Sequence, residues 1–286
     1  SGDSIFGIIG RFSVLEKKQG LIIDKIQIFN LLKCLRNCEK HQQCQYASFN
    51  SSFCVLYSFY AKYYLQNGSK GFLYEKKNQK NFGLVNYWPI EDGQARDLVG
   101  SKDLYDSFNT VYSQDRHGST NSALNFSGGK IRAPTGVYFG NEFTVLAWVK
   151  LKSYMQMQRL FDFGNDQVNN VIVILTCEQN YLCIEFFKGF NKDRMSTTIL
   201  PDLNVWYHFG FSLKAGKVKI YLNGTLAVSF IKEVNPLYAI ERTRNYFGGN
   251  DWAIPSAGDY HCDEMKFFNI ELSDSEIRDE YFYEFH

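Results

Sequence analysis

The sequence has 286 residues, of which 45% are hydrophobic, 17% aromatic and 21% charged, with a formal net charge of +1. This apolar content excludes an intrinsically disordered chain, and the length allows two modest domains or one large one. The near-neutral charge gives no argument for nucleic acid or an anionic membrane surface as a partner. No apolar run approaches the roughly 18 residues of a membrane-spanning helix, so the sequence predicts no transmembrane segment.

The first part of the chain is predicted to contain one helix and one strand hairpin. Residues 28–41 have the helical pattern, because Cys34 and Cys38 recur with leucines at the three-to-four spacing of one helix face. The hairpin strands cover residues 46–50 and 53–57, with Cys44 before the first and Cys54 within the second. Four cysteines allow three pairings, and the sequence alone does not choose among them.

This order of helix, cysteines and hairpin resembles the PAN/apple domain, and the resemblance covers residues 1–77. It implies a small α+β domain in which Cys34 bonds Cys54 and Cys38 bonds Cys44. Two disulfides suit a domain whose apolar core is small.

Residues 75–82 form a short polar and basic break, which we interpret as a linker. From Leu84 onward, short apolar strands alternate with Gly, Asn, Asp and Pro clusters, which is typical of a two-sheet sandwich. The clearest strands lie in residues 204–224, where Phe209, Phe211 and Leu213 share one face and Asn-Gly closes the second turn. A short helix is predicted from Ser273 to about Tyr283, because Ser-Asp-Ser-Glu suits a helix N-terminus.

Several motifs in this second part occur in the order of a known family. They are Asp115-Arg116-His117-Gly118 with Ala123-Leu124-Asn125-Phe126, Phe143-Thr144-Val145-Leu146-Ala147-Trp148-Val149, Trp206-Tyr207-His208, Tyr221-Leu222-Asn223-Gly224 and Asp263-Glu264-Met265-Lys266-Phe267-Phe268-Asn269. This series resembles the laminin-G-like, concanavalin A-like jelly-roll domains over residues 83–286. The resemblance implies an antiparallel two-sheet sandwich, so the whole chain is expected to be mainly β.

The remaining cysteines and the sequons indicate an oxidising, extracellular setting. Cys177 and Cys183 flank a predicted turn and are spaced for a disulfide across a hairpin, while Cys262 is either a buried free thiol or a link between chains. N-glycosylation sequons begin at Asn50, Asn67, Asn125 and Asn223. We therefore expect a secreted glycoprotein, and the opening Ser-Gly-Asp leads us to expect a mature form.

The sequence shows no motif typical of a catalytic site. Some jelly-roll enzymes place two carboxylates at alternate positions of one strand, whereas Asp263 and Glu264 are adjacent and are predicted to point to opposite faces. His208 lies on a strand face with Trp206, where a single histidine is more often structural than catalytic. We therefore expect a protein that is not an enzyme.

Calcium is the cofactor for which the sequence offers candidate ligands, since Ca²⁺ prefers six to eight hard oxygens. The jelly-roll resemblance implies Asp263 as the first ligand, with Asp97 and Asp115 as weaker candidates. A second cluster combines Asn250-Asp251 with Asp259. The alternative is that these side chains cap turns, which Asp and Asn favour.

A ligand site is predicted around Trp252, because this indole lies in a loop rich in Gly, Asn and Asp. Asn250, Asp251 and Tyr260 would add hydrogen-bonding groups beside a flat apolar ring, which is what sugar recognition needs. The alternative is that Trp252 packs within its loop. Trp148 and Trp206 lie in patterned strands and are predicted to be core residues.

These expectations combine into an extracellular, non-enzymatic adhesion or recognition protein that binds carbohydrate or protein ligands through jelly-roll loops and the PAN-like module. This functional step is an analogy at the level of fold. The alternative is a structural subunit of an extracellular matrix or filament, which would self-associate through domain packing or through Cys262.

Overall fold

A computed structural model describes residues 6–10, 12–14, 21–28, 30–41, 43–50, 52–67, 72–76, 83–166, 168–231, 234, 237–252 and 258–285. The chain divides into two compact units, Ser1–Asn81 with Asp279–His286, and Phe82–Arg278. The division falls inside the predicted linker, whereas the grouping of residues 279–286 with the first unit differs from the predicted domain of residues 83–286. In the described residues, no helix is long and apolar enough to cross a membrane.

The first unit is an α+β structure. Its elements are β1 (Phe6–Gly10), β2 (Phe12–Val14), β3 (Ile22–Gln27), α1 (Leu31–Lys40), β4 (Cys44–Phe49), β5 (Phe53–Ser58), a 3₁₀ helix (Phe59–Tyr64), β6 (Leu65–Asn67) and β7 (Phe72–Lys76). Five strands form an antiparallel sheet in the order β1-β7-β4-β5-β3, and β2 pairs with β6.

Helix α1 begins at an asparagine cap and is fastened to the sheet by disulfides. The side chain of Asn30 accepts a hydrogen bond from the backbone N–H of Lys33 at 3.2 Å, which satisfies one donor of the first turn. The disulfides are Cys34–Cys54 and Cys38–Cys44, the pairs that the PAN/apple resemblance implies. All four sulfurs belong to the buried core of this unit, so the covalent links take the place of a larger apolar interior.

The described residues of the second unit form thirteen strands. Its elements are β8 (Leu84–Trp88), β9 (Tyr105–Ser113), β10 (Ala123–Ala133), β11 (Glu142–Leu151), β12 (Arg159–Asn165), β13 (Val168–Ile174), a 3₁₀ turn (Glu178–Asn180), β14 (Cys183–Lys188), β15 (Asn191–Ser196), β16 (Trp206–Lys214), β17 (Lys217–Leu222), β18 (Thr225–Ser229), β19 (Arg244–Gly248) and β20 (Tyr260–Phe268). Helix α2 (Asp274–Phe285) follows β20.

The strands pair antiparallel in the order β15-β14-β13-β12-β19-β10-β20-β11-β16-β17-β18, with β8 beside β20 and β9 beside β10. Strand β10 joins the two layers, because its first part pairs with β20 and its last part with β19. Between these parts Gly128 has a φ of +68°, and Leu124 and Phe126 before it and Ile131 after it all lie in the core. The glycine therefore lets the strand change which alternate positions face inward. The predicted mainly β fold, with antiparallel curled sheets and a small N-terminal α+β part, is confirmed.

Aromatic side chains fill the interior of the second unit. Phe161 is fully buried, stacks on Phe139 at a ring distance of 5.6 Å, and contacts Phe247 and Phe267. The predicted inward face of β16 is confirmed, since Phe209, Phe211 and Leu213 are all core residues.

The two strand tryptophans differ from the prediction. Trp148 is buried, but it alternates with the core residues Ala147 and Val149 and so lies on the opposite face of β11. Trp206, at the start of β16, is only partly buried. Alternation within a strand identifies two faces, but it does not say that only one of them is covered.

The third disulfide joins Cys177 to Cys183, the pair predicted from their spacing across a turn. Cys262 is a free cysteine that lies in the core on β20. Burial raises the pKa of the Cys262 thiol well above its ordinary value. Because the sulfur is enclosed, the folded chain does not offer it to a second chain, and the intermolecular alternative for Cys262 is corrected.

The core assignment predicts a large difference between two phenylalanines. Replacing buried Phe161 with alanine should lower the free energy of unfolding by about 3–5 kcal/mol, because a cavity is left among aromatic rings. Phe190 is 88% exposed, so Phe190→Ala should change that free energy by less than about 0.5 kcal/mol. Urea denaturation monitored by circular dichroism measures both values, and equal effects would contradict the core described.

The cysteine assignment predicts one thiol per chain. The native protein should not react with a thiol reagent, and the denatured, unreduced protein should react at Cys262 alone, because burial protects the sulfur. Absorbance titration with an aromatic disulfide reagent measures this, and the Cys262→Ala variant serves as the control. A covalent dimer that separates on reduction and is absent in Cys262→Ala would contradict the assignment.

Candidate functional site

A row of directly opposed residues crosses one sheet layer of the second unit from β9 to β15. The pairs are Tyr105 with Arg132, Arg132 with Tyr246, Tyr246 with Asp162, Asp162 with Ile172, Ile172 with Glu185, and Glu185 with Arg194. Directly opposed residues of an antiparallel pair share one face. The neighbouring row, Ile131, Phe247, Phe161, Val173, Ile184 and Met195, is entirely core. The first set therefore lies on the face of the sheet that points away from this core, and we call it the outer row.

Asp162 is the fully buried carboxylate at the centre of the outer row. It forms an ion pair with the Arg159 Nε at 3.0 Å and accepts hydrogen bonds from the side-chain amides of Asn170 at 2.9 Å and Asn250 at 3.1 Å. Burial raises the pKa of the Asp162 carboxyl to about 7, although Arg159 and the two amides act in the opposite direction. Asp162 is therefore an anchor for the surrounding side chains rather than an exposed ligand group.

The loop that follows β19 is fixed on this face by its first residues. Asn250 reaches Asp162 with its side chain, and its backbone carbonyl accepts a hydrogen bond from Lys130 Nζ at 2.8 Å. Asp251 accepts a hydrogen bond from the Tyr246 hydroxyl at 3.1 Å. Gly248 permits this turn, because its φ is +85° and a Cβ there would overlap the ring of Phe126. Asn250 and Asp251 are therefore held beside the outer row.

Five side chains form an aromatic and cationic surface next to this loop. They are Tyr105, Phe108, Lys130, Arg132 and Tyr246, and we call them the aromatic–cationic patch. The guanidinium carbon of Arg132 lies 5.7 Å from the ring centres of both Tyr105 and Tyr246, and Lys130 Nζ lies 4.8 Å from that of Tyr246. Tyr105 is 46% exposed and Phe108, opposite Lys130, is 59% exposed. The patch thus offers open aromatic area beside positive charge.

The far end of the outer row is a network of ion pairs beside the third disulfide. Glu185 is bound by Lys192 at 2.7 Å and by Arg194 Nε at 3.3 Å. Arg194 also pairs with Glu178 at 3.0 Å, and its guanidinium contacts the sulfur of Cys177. These contacts connect β14 and β15 to the small disulfide loop, which is a structural role.

The predicted ligand residues are only partly brought together. Asn250, Asp251 and the partly buried Trp252 lie in the loop beside the patch, although Asn250 is itself buried. Tyr260 is corrected, because it is fully buried, packs against Phe126, and donates its hydroxyl hydrogen bonds to backbone carbonyls of β12. Strand β20 begins at Tyr260, so alternation points its ring into the core.

The predicted calcium ligands have separate roles. Asp97 accepts hydrogen bonds from the backbone N–H groups of residues 87, 99, 100 and 102, and Asp115 accepts them from residues 117 and 119. Asp263 forms an ion pair with Arg116 at 3.0 Å, and Asp259 one with Lys152 at 2.9 Å. Within the described ranges, no three His, Cys, Asp or Glu side chains are grouped to hold a metal ion. These ranges therefore do not bring the candidate residues together in one cluster, and a bound calcium ion stays a prediction.

His208 lies in a second, buried polar cluster of the same unit. Its ring is 5.3 Å from that of Trp148, over which Arg116 lies at 4.7 Å, and Arg116 pairs with Asp263. Burial lowers the pKa of His208 to about 3. A histidine with so low a pKa is a weak base at ordinary pH, which agrees with the structural role that its strand position favours.

Three of the predicted sequon asparagines accept hydrogen bonds with their side chains. Asn50 caps a turn by accepting from the backbone N–H of Phe53 at 2.9 Å, and Asn125 accepts from Lys152 at 2.8 Å. Asn223 accepts from the backbone N–H of His208 at 2.9 Å. The side chain of Asn67 lies outside the described residues. Glycosylation at these positions stays a prediction.

The family model of the concanavalin A-like lectin/glucanases superfamily matches residues 125–278, which is more than half of the chain. The chain therefore belongs to this superfamily. No curated protein matches the sequence significantly.

Solved structures share the fold at low sequence identity. Domain 4 of AbnA, an extracellular arabinanase from Geobacillus stearothermophilus in complex with arabinotriose, is 19% identical with a TM-score of 0.60, covering 68% of this chain and 97% of that domain. Botulinum neurotoxin type C, whose cell entry depends on two ganglioside molecules, is 15% identical with a TM-score of 0.53. The match covers 70% of this chain and 50% of that one. A Trypanosoma rangeli sialidase mutant with trans-sialidase activity is 16% identical with a TM-score of 0.52. The match covers 72% of this chain and 34% of that one. These likenesses establish a fold that occurs in carbohydrate-binding domains and also in glycoside-processing enzymes.

Sequence reasoning missed the outer row. Its members come from seven strands, and only the pairing order makes them neighbours. One local signal was present, since Asp162 stands between Phe161 and Phe163 in an apolar strand, where a charged residue needs a buried partner.

The raised pKa of Asp162 predicts a pH-dependent contribution to stability. An unfolded aspartate releases its proton near pH 3.9, whereas the folded carboxyl holds it to about 7, so the folded state binds more protons between these values. The free energy of unfolding, measured relative to Asp162→Asn, should fall as pH rises through this window, by up to about 1.4 kcal/mol per pH unit, and then level off.

Urea denaturation at a series of pH values measures this difference. Glu178→Gln is the control, because its carboxylate is exposed, with a side chain 84% accessible. A wild-type minus Asp162→Asn difference that does not change with pH would contradict the assignment.

Proposed function

We propose that this protein is an extracellular, non-enzymatic recognition protein that binds carbohydrate through the aromatic–cationic patch and the loop at residues 249–252. The carrying observation is the exposure of Tyr105 beside Arg132, next to a loop that is already fixed in place. An aromatic ring offers an apolar face to the C–H side of a sugar, while guanidinium and amide groups satisfy hydroxyls. A preformed arrangement of this kind lowers the entropy cost of binding.

The fold supports this proposal by analogy. Domain 4 of the arabinanase was solved with an oligosaccharide, and the neurotoxin depends on gangliosides, so glycans are ligands of proteins with this architecture. The analogy alone does not place the ligand on a particular surface. The exposed rings and cations of the patch support it as the location in this chain.

A non-enzymatic role is supported by the state of the carboxylates near the patch. Asp162 is buried and bound by Arg159 and two amides, and Glu185 is bound by Lys192 and Arg194. Glycoside hydrolysis needs a carboxylic acid and a second carboxylate that both reach the scissile bond. Both of these groups instead serve as anchors of the sheet face.

We place the protein outside the cell because three disulfides, two of them in a small unit, suit an oxidising compartment. The first unit, with its helix, hairpin and paired cysteines, is proposed to be a PAN/apple-like module that supplies a further contact to a glycan or protein ligand.

Carbohydrate binding should depend on Tyr105. Tyr105→Ala removes the exposed ring and should weaken binding of any glycan retained on an array by roughly tenfold or more, since loss of an anchoring aromatic costs more than about 1.4 kcal/mol. Array screening followed by ligand-observed NMR of the full chain measures the effect.

Tyr238→Ala is the matched control, because Tyr238 is also exposed and carries a lysine, Lys188, over its ring at 4.7 Å, but lies outside the patch. Retained binding in Tyr238→Ala together with loss in Tyr105→Ala supports the site. No glycan binding by the wild type, or equal effects of the two substitutions, would overturn the proposal.

A further inference from the structure

We infer that the patch recognises an acidic sugar, whose carboxylate pairs with the guanidinium of Arg132. This inference rests on the proposed carbohydrate function and names its ligand class. It comes from a difference between Arg132 and three other arginines on the same face of the sheet.

The other arginines of this face are bound by carboxylates of the protein itself. Arg159 pairs with Asp162, Arg194 pairs with Glu178 and Glu185, and Arg244 pairs with Asp166 and Asp251. In the described part of the chain, Arg132 has no carboxylate at salt-bridge distance. The pKa of Tyr246 is raised by burial first and then by the charges of Asp251 and Asp106, but neither carboxylate forms an ion pair with Arg132 among these residues. Among the described residues, Arg132 is thus a cation without a carboxylate partner.

The hydrogen-bonding capacity of Arg132 is also incompletely used. One terminal nitrogen, Nη2, donates to the carbonyl of Thr243 at 3.1 Å. Its Nε is buried and has no acceptor among the described residues. Because Nε is enclosed, the donors left for a ligand are the other terminal nitrogen, Nη1, which donates no hydrogen bond within the described residues, and the second hydrogen of Nη2.

The guanidinium is held in a defined orientation between two rings. Tyr105 and Tyr246 lie at equal distances of 5.7 Å from its central carbon. A planar guanidinium presents its donors as a fork that matches the two oxygens of a carboxylate. Lys130, whose Nζ lies over the Tyr246 ring and donates to the Asn250 carbonyl, adds a second positive charge on the same side.

The exposed rings explain why the carboxylate is expected on a sugar. Tyr105 and Phe108 flank the two cations along β9 and are about half exposed, at 46% and 59%. They provide apolar area for a pyranose ring while its acidic group reaches Arg132. A neutral sugar would occupy the same area but would leave the positive charge uncompensated.

The test compares acidic glycans with their carboxyl-reduced counterparts. The probes are glycans ending in glucuronate, galacturonate or N-acetylneuraminate, each beside the same glycan in which the carboxylate is reduced to a hydroxymethyl group. Binding to the full chain is measured by array and then by NMR titration. At least one acidic glycan should bind about tenfold or more tightly than its reduced form, because a charged hydrogen-bond pair is lost. Which acid is preferred distinguishes uronic from sialic acids.

Two substitutions separate charge from geometry. Arg132→Gln removes the charge and should abolish the preference for the acidic form, whereas Arg132→Lys keeps the charge but loses the fork and should reduce the preference only in part. Lys188→Gln is the control, because Lys188 also lies over an exposed tyrosine but outside the patch. Circular dichroism verifies that each variant is folded, and the comparison of acidic and reduced glycans on the wild type needs no variant.

The outcomes separate the two proposals. If acidic and reduced glycans bind equally, and Tyr105→Ala still abolishes binding, the acidic-sugar inference is wrong and the carbohydrate function stands. If neither kind of glycan binds, both the carbohydrate function and the acidic-sugar inference are wrong. A preference for acidic glycans that persists in Arg132→Gln would also overturn the inference.

Discussion

The antiparallel register between β10, β19 and β12 is the constraint on which the rest of the second unit depends. Phe161 and Phe247 are directly opposed and lie in the aromatic core. Asp162 and Tyr246, one residue along, therefore lie on the opposite face of the sheet. A slip of one residue would exchange the two faces and place a carboxylate among phenylalanines. The strand pairing that buries the aromatic rings also aligns the residues of the candidate site on the other face. These residues are Tyr105, Arg132, Tyr246 and Asp162.

Two departures from regular strand geometry turn this face into a candidate binding surface. Gly128 lets β10 pass from one layer to the other, so that Lys130 and Arg132 come to face outward beside β9. Gly248 ends β19 and lets the chain turn back, after which Asn250 reaches the buried carboxylate of Asp162. A hydrogen bond to a buried carboxyl thus fixes the ligand loop on this face of the sheet. This is the kind of support that keeps a recognition site preorganised.

The sequence predicts the secondary-structure elements of this protein better than it predicts which strands lie side by side. The α1 helix with Cys34 and Cys38 facing inward, the core face of β16 and the antiparallel sandwich all follow from local periodicity or from family motifs. The site does not, because Tyr105, Tyr246 and Asp162 are distant in sequence and meet only through strand order. Tyr260 illustrates the limit: a difference of a few residues in where β20 begins moves its ring from a loop to the core. Likewise, Asp97 and Asp115 have the composition of ligands but cap local backbone turns instead.

The central claim, that ligands bind at the aromatic–cationic patch, is tested most directly by mapping amide and Arg132 Nε resonances of the ¹⁵N-labelled chain during titration with an acidic glycan. The account predicts that the largest shifts occur in β9, in the second half of β10 and in residues 249–252, and that the Arg132 Nε–H resonance moves with them. Shifts that cluster elsewhere in the chain, with the patch unchanged, would contradict the account.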